Sequence, residues 1–188
     1  MTAINTVILN QDDRSSEKGK QAVTVWLTGL SAAGKSTLAF ALEQRLLAIG
    51  RACYVLDGDH VRRGLNRDLG FSLAARSENI RRIAEVARLM NDAGLIVISA
   101  LISPMATDRA MAKSIIGLAK FKEIYVSTPL AICEARDPKG LYTKARAGQI
   151  ADFTGVSAGY EVPLNPDLIL DTTEAILGEH VEAILQLL

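Results

Sequence analysis

The sequence predicts an α/β fold: a parallel β-sheet with helices on both faces. Three observations carry this. Five short apolar segments read as buried strands, helical patterns separate them, and the first strand runs straight into a glycine-bounded turn followed by a helix. Strand and helix in alternation give parallel pairing, because each crossover returns the chain to the same edge and right-handed crossovers place helices on each side of the sheet.

The chain has 188 residues, 49% of them hydrophobic, which is enough to bury one sizeable core and too short to promise two independent ones. From Met1 to Gln21, the polar string "NQDDRSSEKGKQ" follows "TVIL" and shows no core periodicity. A flexible arm over residues 1–21, with a single domain over 22–188, is the expectation. The strands are then "VTVWLT" from Val23, "ACYVL" from Ala52, "LIVISA" from Leu95, "EIYVS" from Glu123 and "LIL" from Leu168. Helical patterns fall between or after them at Lys35–Ile49, Ser77–Ala93, Asp108–Ala119 and Glu174–Leu188, with Ser77 as the expected N-cap of the second. One segment breaks the rhythm. Arg136 to Pro166 is rich in charge, Gly and Pro, with little helix or strand signal beyond "LYTKAR". A loop of that length in a compact domain is usually functional or disordered.

Lys plus Arg and Asp plus Glu number 21 each, so no global field draws the chain to nucleic acid or to an acidic membrane, and any anion site is local. Cys53 and Cys133 show no metal or redox spacing and read as buried, reduced thiols. The longest apolar run, "GLIVISALI", is far short of a membrane span, and no basic-then-apolar leader opens the chain. A soluble, cytoplasmic protein is expected. The chain's end soon after its last helix suggests a free-standing protein.

Gly29-Leu30-Ser31-Ala32-Ala33-Gly34-Lys35-Ser36 fits G-x-x-x-x-G-K-[ST], with Thr37 next, and stands between a strand and a helix as the motif requires. Successive backbone N–H groups and the helix N-terminus point inward at a phosphate chain. Lys35 adds a point charge on the transferring phosphates, and the Ser36 hydroxyl is placed to ligate Mg²⁺. Residues 29–37 therefore form the expected ATP cradle. A glycine turn that merely joins strand to helix is the structural alternative.

The second strand ends in "LDGDHVRRGLN", with two carboxylates, Asp57 and Asp59, at the sheet edge where ligands of parallel sheets bind. An aspartate there accepts a hydrogen bond from an attacking hydroxyl, and a carboxylate near Mg²⁺ orients its water ligands. Arg62 holds an anionic group of the acceptor. Local chemistry alone also allows a turn with a helix N-cap at Asp59. Phe71 and Phe153 sit in polar, glycine-flanked loops. They read either as stacking platforms for a nucleobase or as loop-anchoring hydrophobes.

These motifs together resemble adenylylsulfate kinases, which phosphorylate the 3′-hydroxyl of adenosine 5′-phosphosulfate with ATP. The resemblance runs from about Val23 to the chain end and is carried by "LTGLSAAGKST", "LDGDHVRRGLN", "LGFS", "SENIRR", "ISP", "DPKGLYTKARAGQI", "FTG" and "YEVP". It implies a P-loop kinase-like sheet with a mobile lid over about residues 136–160, ATP and Mg²⁺ as cofactors, and a homodimer with possible association with ATP sulfurylase. It also implies roles for residues. Asp59 is the carboxylate beside the acceptor hydroxyl, with Asp57 close by. Arg62, Arg76 and Asn79 hold the phosphosulfate and ribose side, Ile102 and Ser103 of "ISP" line the acceptor, and Phe71 and Phe153 sandwich its adenine. Lys139, in the lid, closes over both nucleotides, and with the lid shut water is excluded, so the phosphoryl group goes to sugar. A phosphoserine on Ser103 has been proposed in the family. A loose phosphoryl transition state needs alignment and charge neutralisation more than a covalent stop, so direct in-line transfer is favoured.

The chain departs from the family pattern in three places. Ala32-Ala33 stands where Gly-Ser or Gly-Ala is usual, and alanine is strained if the position needs positive φ. His60 and Arg63 replace a common Asn and His, and Met105 and Ala106 remove polar contacts near the acceptor. Two rival readings follow: a kinase of another small hydroxyl or nucleotide acceptor, and a nucleotide-binding regulatory module without catalysis. Transfer without preference for the phosphosulfate over AMP supports the first; ATP binding without transfer supports the second.

Overall fold

The computed structural model describes residues 22–174 and 176–188; the expected N-terminal arm lies outside the described residues. Five strands, β1 (Thr24–Thr28), β2 (Cys53–Asp57), β3 (Ile96–Ala100), β4 (Phe121–Val126) and β5 (Leu168–Leu170), form one sheet in the order β2-β3-β1-β4-β5. Every pairing is parallel, with Val25 opposite Ile98 on one side and Lys122 on the other. The helices are α1 (Lys35–Ala48), α2 (Gly58–Arg63), α3 (Leu73–Asp92), α4 (Ala106–Ile116), α5 (Leu130–Arg136), α6 (Leu141–Arg146) and α7 (Leu177–Leu185).

β1 is buried along its whole length, and its side chains alternate between two cores, as a period of two demands. Val25 and Leu27 join Leu38, Leu42 and Leu46 of α1 and Val181 and Ile184 of α7. Trp26 joins Ile80, Ile83, Ala84 and Ala87 of α3 and Ala112 and Ile116 of α4, with the Phe121 ring 5.6 Å away. Each fully buried Leu or Ile in these layers contributes about 1.5–3 kcal/mol of transfer free energy. The two layers hold β1 rigidly, and β1 delivers the phosphate loop.

Element boundaries differ from expectation where core periodicity is silent. α3 begins at Leu73 and is capped by Ser72, whose Oγ accepts from the Ala75 N–H; Ser77 lies inside the helix and donates to Asp108. The first turn of α3 lies outside the core, with Leu73 exposed, so it shows no apolar stripe. Asp57, and not Asp59, caps α2 by accepting from the Asp59 N–H. α4 stops at Ile116 because Gly117 turns the chain at φ +100°. α7 begins three residues later than Glu174, and β4 begins two residues earlier than Glu123. The short helices α2 and α5 span under two turns, too few for a period to register in sequence.

Cys53 is half-buried and Cys133 buried, both as free thiols. Among the described residues, no helix is long and apolar enough to cross a membrane.

Candidate active site

The phosphate loop is held by tight approaches at its two glycines. A Cβ on Gly29 would lie 2.5 Å from the Val126 carbonyl oxygen, so only glycine lets β1 leave the sheet this close to β4. Gly34 takes φ +95° as the N-cap of α1, against Thr172. The Ala33 carbonyl is clamped by the Thr128 and Thr172 hydroxyls at 3.0 and 2.9 Å. Ala32 is left-handed, at φ +58°, which bears out the concern that alanine departs from the family pattern at a position needing positive φ. A left-handed L-residue costs about 1–2 kcal/mol, partly offset for glycine by unfolded-state entropy. Ala32→Gly is therefore expected to raise the melting temperature by about 2–4 °C for a chain of this size, measured by thermal unfolding of the nucleotide-free protein.

Lys35 is 8% exposed and donates to the Gly29 and Leu30 carbonyls at 2.9 and 2.6 Å. Burial pulls its ammonium down to about 8, against smaller opposing pulls that include Asp57 and Asp59. Ser36 donates to Asp57 Oδ2 at 2.6 Å, so the hydroxyl and the carboxylate present adjacent oxygens beside the loop. This donor pair fits Mg²⁺, which prefers hard oxygens and keeps several waters. No cluster of three acidic, His or Cys side chains that could hold a metal occurs among the described residues, so phosphate oxygens and water would complete the shell.

Next to the loop lies a cavity of about 540 Å³ lined by Ser31, Ala32, residues 34–38, residues 136–139, Thr172, Leu177 and His180. Arg136 falls at the start of the expected lid, whereas Thr172 and His180 were given no role from sequence. Arg136 donates to the Thr172 hydroxyl and carbonyl at 2.9 and 2.7 Å, and Thr172 clamps Ala33. His180, on α7, meets the Asp171 carbonyl through Nε2 at 3.0 Å.

The residues expected at the acceptor lie on α2, on α3 and in the loops around them. Asp59, on the first turn of α2, is exposed and ion-paired with Lys139, which the α5–α6 connection carries across the site. Arg62 donates to the Gly70 carbonyl at 3.0 Å and lies over the Phe71 ring, 4.5 Å from its centroid. Arg76 joins the two phenylalanine loops, donating from Nε to the Phe71 carbonyl at 2.8 Å, from Nη2 to the Asp152 carbonyl at 2.7 Å and from Nη1 to Thr154 at 3.1 Å. Phe71 is 66% exposed, whereas Phe153 is 8% exposed and meets Tyr142 edge-on at 5.0 Å. Phe153 thus anchors its loop in the core, and Phe71 presents an exposed ring with Arg62 over one face. Asn79 is buried and accepts from Asn66 at 3.0 Å.

The "ISP" residues turn inward. The Ser103 hydroxyl is buried and accepts from the Trp26 indole N–H at 3.2 Å, and the Ile102 carbonyl accepts from the Thr28 hydroxyl at 2.8 Å. Ala106 sits at the start of α4, where its N–H donates to Glu161. His60 is exposed, its ring 6.4 Å from Phe40. The 136–160 segment meets the phosphate loop where Tyr142 donates to the Ser31 carbonyl at 3.0 Å, and it turns on itself where Thr154 bridges Ala158.

The comparisons agree on one family. The sequence model described as adenylylsulphate kinase matches residues 21–171. The chain is 53% identical over 173 residues to an adenylyl-sulfate kinase of Shewanella amazonensis, covering 92% of this chain and 87% of the relative. It is 54% identical over 180 residues to the adenylyl-sulfate kinase of Yersinia pestis, covering 96% and 84%. Among solved structures, the Mycobacterium tuberculosis APS kinase CysC in complex with AMPPNP and APS superposes with a TM-score of 0.86 at 48% identity, covering 89% of this chain and 97% of that one.

Proposed function

This chain belongs to the adenylylsulfate kinase family, and from that premise we propose that its two faces of the phosphate loop perform one in-line transfer, with ATP in the lined cavity and adenosine 5′-phosphosulfate against Asp59. The activity is the family's: ATP and adenosine 5′-phosphosulfate give ADP and 3′-phosphoadenosine 5′-phosphosulfate. The observation that carries the residue assignment is the convergence of Lys35, Ser36, Asp57, Asp59 and Lys139 at one sheet edge.

The division of labour follows from charge and reach. Lys35 exchanges its two loop carbonyls for phosphate oxygens and neutralises charge as the γ-phosphoryl group leaves ADP. Ser36 and Asp57 would hold Mg²⁺, which would supply charge neutralisation on the phosphates. Asp59 releases Lys139 and accepts the hydrogen bond of the 3′-hydroxyl, orienting its oxygen in line. Lys139 then faces the phosphates of both nucleotides. Arg62 leaves the Phe71 ring to meet the phosphosulfate, freeing that ring for adenine, while Phe153 and Arg76 fix the opposite wall.

Ser103 takes no covalent role in this scheme, because its hydroxyl is buried against Trp26. Ser103→Ala is expected to keep turnover within a few-fold and to lower stability by about 1–3 kcal/mol, the cost of leaving the indole N–H unpaired. Stoichiometric label on Ser103 that chases into product would overturn direct transfer.

The experiment that tests the function mixes the protein with Mg-ATP and either adenosine 5′-phosphosulfate or AMP and follows ADP and 3′-phosphorylated nucleotide. Product from the phosphosulfate with AMP a poor acceptor supports the proposal; equal use of both turns it toward another acceptor. The homodimer and association with ATP sulfurylase rest on the resemblance, and light scattering on the purified chain checks the dimer.

A further inference from the structure

Behind the acceptor face lies a buried polar knot that the transfer scheme leaves without a task. It joins the end of β1 at Thr28, the left-handed turn at Ser103 (φ +39°) and the Tyr160–Glu161 pair that ends the lid segment. Arg109, on α4 and 4% exposed, ties the Ser103 turn to the Tyr160–Glu161 pair. Its Nη1 donates to the Ser103 and Pro104 carbonyls at 2.8 and 3.1 Å, Nη2 to the Glu161 carbonyl at 2.7 Å and Nε to Glu123 at 2.8 Å. The Tyr160 ring stacks on Tyr125 with centroids 5.9 Å apart, and the guanidinium lies 5.8 Å from its centroid.

The Tyr160 hydroxyl is 2.8 Å from Thr28 Oγ1, and counting protons gives the direction of that bond. Thr28 has one hydroxyl proton, and the Ile102 carbonyl takes it at 2.8 Å, so Tyr160 is the donor. Burial keeps the phenol protonated far above neutral pH.

Thr28 immediately precedes the phosphate loop, and Tyr160 ends the lid segment. We propose that Tyr160 is a positioning residue whose hydrogen bond to Thr28, backed by Arg109, fixes the rear hinge of the lid in register with the phosphate loop. The inference rests on the function proposed above. With the bond lost, the rear of the lid loosens and admits water, and the γ-phosphoryl group of ATP passes to water, giving ADP and phosphate, in competition with transfer to the 3′-hydroxyl.

Tyr160→Phe keeps the ring and removes one hydroxyl. The readout is the ratio of ADP released to 3′-phosphorylated product at saturating Mg-ATP and adenosine 5′-phosphosulfate. The share of ADP formed without product is expected to rise roughly twofold to tenfold, the range set by one hydrogen bond, with KM for ATP unchanged. Thr28→Val removes the same bond from the other side and carries the test should Tyr160→Phe fail to fold. The double variant is expected to be no more uncoupled than either single one. A merely structural role lowers the number of active molecules and leaves the ratio unchanged. An unchanged ratio in both variants overturns the inference, whatever happens to specific activity. No product from the unaltered chain removes the function and this inference with it.

Discussion

Asp59→Ala is expected to lower phosphoryl transfer by about a hundredfold to ten-thousandfold, the span of a positioned proton acceptor, while ATP binding is kept. Asp59 is suited to a clean test because its neighbours do the structural work. Asp57 caps α2 and receives the Ser36 hydroxyl, so removing the Asp59 carboxylate uncaps nothing and leaves the phosphate loop in place. Its one side-chain partner among the described residues is Lys139, in an exposed pair of the kind worth little to stability. Thermal unfolding and calorimetric ATP titration should therefore match the unaltered chain, with product formation lost. Turnover comparable to that of the unaltered chain would remove Asp59 from the centre of the mechanism. Asp57→Ala would not discriminate, since it strips the cap and the Ser36 partner together.

Lys35→Met should reduce turnover by about a hundredfold to a thousandfold, as loss of a charged group aimed at the transferring oxygens does, and should also weaken ATP. The unaltered lysine makes a second, pH-dependent prediction. In the empty site burial holds its ammonium near 8, below the ordinary 10.5, and phosphate oxygens raise it again on binding. Below pH 8 the free and bound forms carry the same proton. Above pH 8 ATP binding takes up a proton, and affinity falls by up to about tenfold per pH unit. Calorimetry at pH 8.5 in two buffers of different ionisation heat reads that uptake, and Lys35→Met should abolish it. Equal apparent heats with unaltered protein would show that the site leaves Lys35 unshifted. For folding the sign is opposite to that of a salt-bridged lysine: between pH 8 and 10.5 the unfolded chain holds more protons here, so this group's contribution to stability rises with pH.

Local signals made the phosphate loop legible, because its chemistry is backbone chemistry: two glycines, a lysine and a serine at fixed spacing between strand and helix. Ala32 stood out only through the resemblance, as a departure that matters if the position needs positive φ, and the structure places it at φ +58°. Asp57 and Asp59 were visible as a pair but not as individuals. One residue apart on a strand end, they diverge only when α2 turns one toward Ser36 and the other toward Lys139. The knot around Arg109 was missed, although Asp108 and Arg109 at core-facing positions of an amphipathic helix were a readable anomaly.

Sequence alone settled the α/β class, the five strands, the phosphate loop and, through the joint pattern of its motifs, the family. Each of those rests on contiguous residues or on periods of two and 3.6. Tertiary structure alone decided which groups meet across 36 to 132 positions: Tyr160 with Thr28, Arg136 with Ala32 and Thr172, Tyr142 with Ser31, Lys139 with Asp59. The physical reason is that a lone polar side chain carries no periodicity. Its partner is chosen by whichever carbonyl or hydroxyl the packed sheet and helices bring within hydrogen-bond reach, after the apolar pattern has fixed where those elements lie.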